Sequence, residues 1–301
     1  SADHDTLITT DILVEGTHFK LDYSSPWQIG WKSLAASVSD IAAMGGRPTY
    51  AVVSIGIRPR NRAYTVESLY EGIRAAADKY GVSVIGGDTV QSRLIVVNVT
   101  LMGEVPKGGA VTRKGAKPGD LIFVTGTCGD GKAGLEALAV CAELGNKRKE
   151  QFLQILAQRH LAPEPSLAAG MAARASGAAS AMMDLSDGLS SDLPRLCERS
   201  KVGAIINISD VPLSEEVKIW AESFGRDPNR IALQGGEDYN LLITAHPEKA
   251  PLLVDAIRSA NVRITPIGVI LQRERGLLVL GRDGTETNLP KPEFEHFNHV
   301  D

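Results

Sequence analysis

Cysteine is scarce in this chain. Only Cys128, Cys141 and Cys197 occur among 301 residues. The number is odd and the spacing wide. There is no C-x-x-C pair and no zinc-ligand spacing, so a disulfide framework and a structural zinc site are excluded. Incidental or buried thiols suit a reducing compartment, and the expectation is a cytoplasmic protein. No apolar run approaches the ~20 residues of a membrane span, and no signal-peptide pattern opens the sequence. Long basic runs are missing as well. The formal net charge is −4 and the pI is near 5.9. Lys147-Arg-Lys149 is short and is followed by Glu150, so a nucleic-acid partner is not expected. A nucleophile-elbow arrangement, a G-x-G-x-x-G fingerprint after a strand and an H-E-x-x-H pair are all lacking. Covalent catalysis therefore has no support.

What is present is enough apolar material, 43% of residues, for two cores, and the length favours about two domains. Strand and helix patterns alternate throughout, which predicts an α/β (α+β) fold. Residues 7–13, 50–57, 82–85 and 94–104 read as strands. Ser25-Pro26 reads as an N-cap and a first-turn proline ahead of a helix whose apolar positions run from Trp27 to Ala42. A second helix spans Val66 to Tyr80 and stops at Gly81. Lys114-Gly-Ala-Lys-Pro-Gly119 is the best boundary, giving domains 1–118 and 119–301. In the second half, 120–125, 179–183, 204–208, 239–244 and 263–269 read as strands. Helices are expected over 131–144, 151–158, 166–175, 191–199 and 247–260.

The acids stand out against this pattern. Asp11, Asp40, Asp88, Asp184 and Asp187 sit where apolar runs end. A carboxylate there is costly to desolvate unless a paired charge or a metal compensates. Five such positions suggest one shared cation site, and the natural ion is Mg²⁺ holding phosphates, because it takes oxygen ligands from a few carboxylates plus substrate. Asp40 falls near a helix C-terminus, where the dipole disfavours an anion by roughly 0.3–1 kcal/mol; the bland alternative is a solvated surface acid. Asp184-Leu-Ser-Asp187-Gly188 joins a strand to a helix. Ser186 or Asp187 can serve there as an N-cap, but capping does not explain Asp184. Gly86-Gly87-Asp88 reads either as a turn or as a close backbone approach to phosphate. Gly126-Thr-Cys-Gly-Asp-Gly131-Lys132-Ala133 matches G-x-x-x-x-G-K, but Ala133 stands where Ser or Thr must hold Mg²⁺. A glycine turn feeding a helix explains it more simply. Gly235-Gly-Glu237-Asp-Tyr239 suits either a turn or a ligand wall, and His18 alone is an ordinary surface histidine.

Taken together, seven stretches resemble the thiamine-monophosphate kinase family. They are Thr9-Thr-Asp-Ile-Leu-Val-Glu-Gly-Thr-His-Phe19, Ser39-Asp-Ile-Ala-Ala-Met-Gly45, Gly86-Gly-Asp88, Thr112-Arg-Lys-Gly-Ala-Lys-Pro-Gly-Asp120, Val124-Thr-Gly-Thr127, Asp184-Leu-Ser-Asp-Gly188 and Gly235-Gly-Glu-Asp-Tyr239. They follow the family order over nearly the whole chain. The resemblance implies an N-terminal domain whose strands pair across a homodimer into a β-barrel, a C-terminal α/β domain packed beside it, and an ATP site in the cleft between them. It implies transfer of the γ-phosphate of ATP to thiamine monophosphate with several Mg²⁺ ions, by direct in-line displacement. Thr9, Thr10 and Asp11 would hold Mg²⁺. Asp40, Asp88 and Asp184 would bridge Mg²⁺ on the ATP phosphates, with Asp187 on a further ion. Gly87, Arg113, Ser186 and Tyr70 would contact ATP. His18 and Glu237 would contact the thiamine phosphate, and Phe294 would lie against the thiamine rings. The family also carries a Gly-Asp-Asp segment shortly before the Thr-Thr-Asp strand. Asp3 and Asp5 lie too close to that strand to replace it, so this ligand group is expected to lie upstream of residue 1 or to be lacking. Two other readings stay open at this point: a different ATP-dependent reaction of the same superfamily, as in aminoimidazole ribonucleotide synthetase, and a non-catalytic nucleotide-binding protein.

Overall fold

The structure is a computed structural model that describes residues 2–61, 63–144 and 150–293. Two sheets organise it. The first has the order β1 (His4–Val14), β4 (Val96–Pro106), β2 (Arg47–Ile57), β3 (Ser83–Gln91). Its first three strands pair antiparallel, while β2 and β3 run parallel. The parallel pair needs a crossover, and α2 (Ala63–Tyr80) supplies it. The second sheet has the order β11 (Glu286–Asn288), β10 (Leu277–Leu280), β7 (Gly203–Asn207), β9 (Ile264–Leu271), β5 (Leu121–Thr125), β8 (Asn240–Ala245), β6 (Ala179–Leu185). Only β10 and β7 are parallel in it. Both sheets are therefore largely antiparallel, which places the architecture in the α+β half of the expectation.

Helix α1 (Pro26–Ala43) joins the two halves. Its start is encoded locally: Ser25 Oγ accepts from the Gln28 N–H at 3.3 Å, and Gln28 Oε1 accepts from the Ser25 N–H at 2.9 Å. Fourteen of its 18 residues are buried, because it is covered on two sides. Leu34, Val38 and Ile41 pack with Val53, Val97 and Leu101 of the first sheet. Ala42 and Ala43 pack with Ala169 and Ala173 of α5 (Leu167–Ser176). Trp31 Nε1 donates to Pro163 O at 2.8 Å, tying the helix to the segment ahead of α5.

Three features depart from the sequence reading. Gly86-Gly87-Asp88 is neither a turn nor a strand end but the middle of β3. A bulge opposite Ala51/Val52 lets the strand continue, and a Cβ on Gly87 would meet Val53 O at 1.8 Å, so glycine is what allows β2 and β3 to pair there. Residues 209–238, left without elements in the sequence, contain α7 (Glu215–Phe224) and α8 (Pro228–Gln234). Ser214 Oγ accepts from the Val217 N–H at 3.2 Å and caps α7. The helix expected from Pro247 is a 3-10 turn followed by α9 (Ala250–Ser259). The remaining helices are α3 (Asp130–Leu144), α4 (Gln151–Leu161) and α6 (Leu189–Ser200). Among the described residues no helix is long and apolar enough to cross a membrane.

Candidate active site

A cavity of about 480 Å³ opens between the two sheets. One wall is β1 and α1, through Asp11, Ala36 and Asp40. The facing wall carries Asp184, Ser186 and Asp187 from the β6–α6 turn, Gly236, Glu237 and Tyr239 from the segment before β8, and His160 from α4. Acids distant in sequence thus meet here because α1 docks against the second sheet.

The two serines and one threonine beside them fix the carboxylates. Ser39 Oγ donates to Asp184 at 2.8 Å, and Ser37 Oγ donates to Asp11 at 2.8 Å. Thr9 Oγ1 donates to Asp40. Burial, then repulsion from Asp40, pushes Asp184 up to about 7 and Asp11 up to about 6. Asp187 is held by Arg195 at 2.5 Å, and its backbone N–H donates to the buried Asp192 at 3.0 Å. The Ser186–Gly188 turn lies against Gly235 and Gly236 backbone to backbone. A Cβ on Gly188, which has φ +92°, would meet Gly235 O at 2.3 Å. That contact explains why both motifs are glycine-containing.

Glu237 is anchored from three sides. Its backbone N–H donates to Ser186 O at 2.7 Å. Its carboxylate lies 2.6 Å from Lys32 Nζ and 3.1 Å from His160 Nδ1. Burial raises its pKa, but the Lys32 charge outweighs this, so it is held below the usual carboxylate range. His18 lines the same cavity, and its Nδ1 accepts from the Val14 N–H at 3.0 Å.

The loop resembling a phosphate cradle already holds a carboxyl group, Asp238, whose pKa burial and then Asp130 push up to about 8. The Asp238 carboxyl oxygens accept from the Gly129 N–H at 2.6 Å and from the Gly131 N–H at 2.8 Å, at the start of α3. Lys132 pairs with Glu293 and, at 3.7 Å, with Glu136. A side chain therefore fills the place a phosphate would take in a true P-loop.

Of the sequence candidates, Asp11, Asp40, Asp184, Asp187, Ser186, His18 and Glu237 line the cavity. Thr9 sits behind Asp40. Thr10 points to the opposite face of β1, bonded to Thr100 at 3.0 Å, as the two-residue period of a strand requires. Arg113 is exposed, near enough to Asp184 to lower its pKa. Asp88 and Gly87 lie in the exposed edge strand β3. The row Asp11–Val99–Val53–Gly87 crosses three strand spacings, roughly 14 Å. Tyr70 packs on the first core from α2. Phe294 lies outside the described residues. Sequence reasoning missed Lys32, His160, Asp192 and Asp238. Lys32 had a signal: Lys32, Ala36, Ser39 and Asp40 follow an i, i+4, i+7, i+8 stripe on an otherwise apolar helix.

Residues 1–105 match the family described as AIR synthase related protein, N-terminal domain, and residues 117–281 match its C-terminal domain. A thiamine-monophosphate kinase of Bacillus subtilis (strain 168) is 36% identical over 292 residues, 97% of this chain and 88% of that protein. The chain belongs to the thiamine-monophosphate kinase family. Another member of the family, from Aquifex aeolicus (strain VF5), is 40% identical over 81% of this chain and 76% of its own length. The solved structure of AaThiL complexed with AMPPCP and TMP superposes with a TM-score of 0.85 at 37% identity, covering 98% of this chain and 88% of that one. The thiamine-monophosphate kinase from Stenotrophomonas maltophilia K279a gives a TM-score of 0.84 at 34% identity, with coverages of 96% and 87%.

Proposed function

We propose that this chain transfers the γ-phosphoryl group of ATP to thiamine monophosphate, giving thiamine diphosphate and ADP. The carrying observation is the convergence of Asp11, Asp40, Asp184 and Asp187, from both sheets, on one cavity whose wall also presents Glu237 and His18. The family's name, and the binding of AMPPCP and TMP by AaThiL, support the same reading. The division into working units falls at 118/119, with substrates bound between them.

Among the described residues no three His, Cys, Asp or Glu side chains form a ready-made cation cage. Burial and Asp40 together raise the pKa of Asp11 and Asp184, and carboxyl groups crowded in this way suit Mg²⁺, which takes one or two carboxylates and completes its shell with phosphate and water. Asp11, Asp40, Asp184 and Asp187 would hold it, with the Thr9 hydroxyl beside Asp40. Bound there, Mg²⁺ would neutralise phosphate charge. The accepting group is already a phosphate and needs no general base. The residues' task is therefore positioning and charge screening for a direct in-line transfer, with Ser186 and Arg113 on the ATP side and His18 and Glu237 on the acceptor side.

A homodimer completes this reading. The face of the first sheet away from α1 exposes Ile8, Ile12, Tyr50, Val52, Ile85 and Val90, and exposed apolar faces of this extent mark interaction surfaces. A second copy closing the sheets into a barrel would cover it and remove both free edges. With the β3 edge of one copy meeting the β1 edge of the other, Asp88 and Gly87 would reach the carboxylate cluster. Turnover of ATP with thiamine monophosphate tests the proposal. Asp40→Ala and Asp88→Ala are each expected to abolish it while circular dichroism stays unchanged. Near-native rates in either variant would refute the role of that residue, and an inactive native chain would refute the function.

A further inference from the structure

Lys32 is a charged residue sealed inside the protein. Its side chain is 4% exposed, and it leaves α1 among Trp31, Leu34 and Ala35, all buried. Its Nζ meets no acceptor in directed hydrogen-bond geometry, and lies 2.6 Å from Glu237 Oε1 as a charge pair. Lys32 does not line the cavity; Glu237 does. The second nitrogen on Glu237, His160 Nδ1, belongs to a buried ring that also contacts Gly131 O at 3.0 Å, so it carries its proton there as a neutral imidazole. Glu237 itself has φ +65°, a left-handed backbone uncommon for this residue type.

Resting on the function proposed above, we infer that Lys32 is a positioning residue for the acceptor substrate: from behind the cavity wall it holds Glu237 as an oriented anion facing the thiamine moiety. Thiamine carries a fixed positive thiazolium and an aminopyrimidine with N–H donors, and both favour an ionised carboxylate over a neutral one. A lysine meant for phosphate would have its ammonium in the cavity, whereas here the carboxylate stands between them. Burying a lone charge is costly, and one compensated by a single counter-ion is sensitive to loss of either partner. This tie also links α1, which carries Asp40, to the wall that carries Glu237, so metal-side and acceptor-side groups share one helix.

The test is steady-state kinetics of Lys32→Met, Lys32→Arg, Glu237→Gln and the double variant Lys32→Met/Glu237→Gln, with both substrates varied. Lys32→Met is expected to raise KM for thiamine monophosphate roughly tenfold or more, leaving kcat and the KM for ATP within about threefold. Lys32→Arg, which keeps the charge, is expected to recover most of the loss. The double variant is expected to be no worse than Glu237→Gln alone, the mark of two residues acting through one contact. An unchanged acceptor KM in Lys32→Met, or additive losses in the double variant, would overturn the inference while leaving the function standing. A rise in the KM for ATP instead would overturn it in favour of a phosphate role. A native chain inert toward thiamine monophosphate would remove the function and this inference together.

Discussion

Replacing His160 with glutamine gives a stability measurement whose pH dependence follows from burial. The ring is 2% exposed, and burial first, then the Lys32 charge, pushes its pKa from 6.5 down to about 4, against the pull of Glu237 and Gly131 O. The folded pKa lies below the unfolded one. Between the two, the unfolded chain binds more protons, so stability is intact above about pH 6.5 and drains away as pH falls toward 4. Full protonation would cost on the order of 3 kcal/mol, and about 2 kcal/mol of that is spent by pH 5. His160→Gln removes the titration and loses bonds to Gly131 O and Glu237, a cost of about 1–2 kcal/mol at any pH. Urea unfolding at pH 8, 7, 6 and 5 should therefore show the native chain ahead at pH 8 and the two proteins converging by pH 5. The other titrating groups, including Asp184 and Asp11, shift both proteins alike and cancel in the difference. A gap that stays constant within about 0.5 kcal/mol from pH 8 to pH 5 would refute the reasoning, because it would mean the imidazole protonates as easily inside the protein as outside.

Two further outcomes are expected. Lys132→Ala should keep turnover within about threefold, since Lys132 is engaged by Glu293 and Glu136 and the loop's N–H groups are taken by Asp238; a thousandfold loss would restore the phosphate-cradle reading. Val52→Asp places a charge in the exposed apolar face of the first sheet and should shift the protein toward the monomer in sedimentation analysis. An unaltered sedimentation profile would refute the proposed dimer contact on this face.

The sequence by itself determined the elements whose signals are local. Ser25-Pro26 announced the start of α1, Gly81 its stop signal after α2, and the apolar periods of both helices and of β1, β4 and β8 were legible within a few residues. The acids at the ends of apolar runs were legible too, because an uncompensated carboxylate beside a buried segment is costly wherever the chain goes. Helices α7 and α8 were not, since their short amphipathic patterns acquire meaning only once Trp220 and Ile231 find the core beside α3 and α4. Tertiary structure alone decided which acids are partners: Asp40 meets Asp184 because α1 is buried against both sheets, whereas Asp88 is carried about three strands away on β3. It also converted Lys32 from an anonymous helical lysine into the counter-charge of Glu237, and turned Asp238 into the plug of a loop that spells a phosphate site. Charge pairing depends on distance through space, and the separation of 205 positions from Lys32 to Glu237 records nothing of the 2.6 Å that separates their charged atoms in the folded chain.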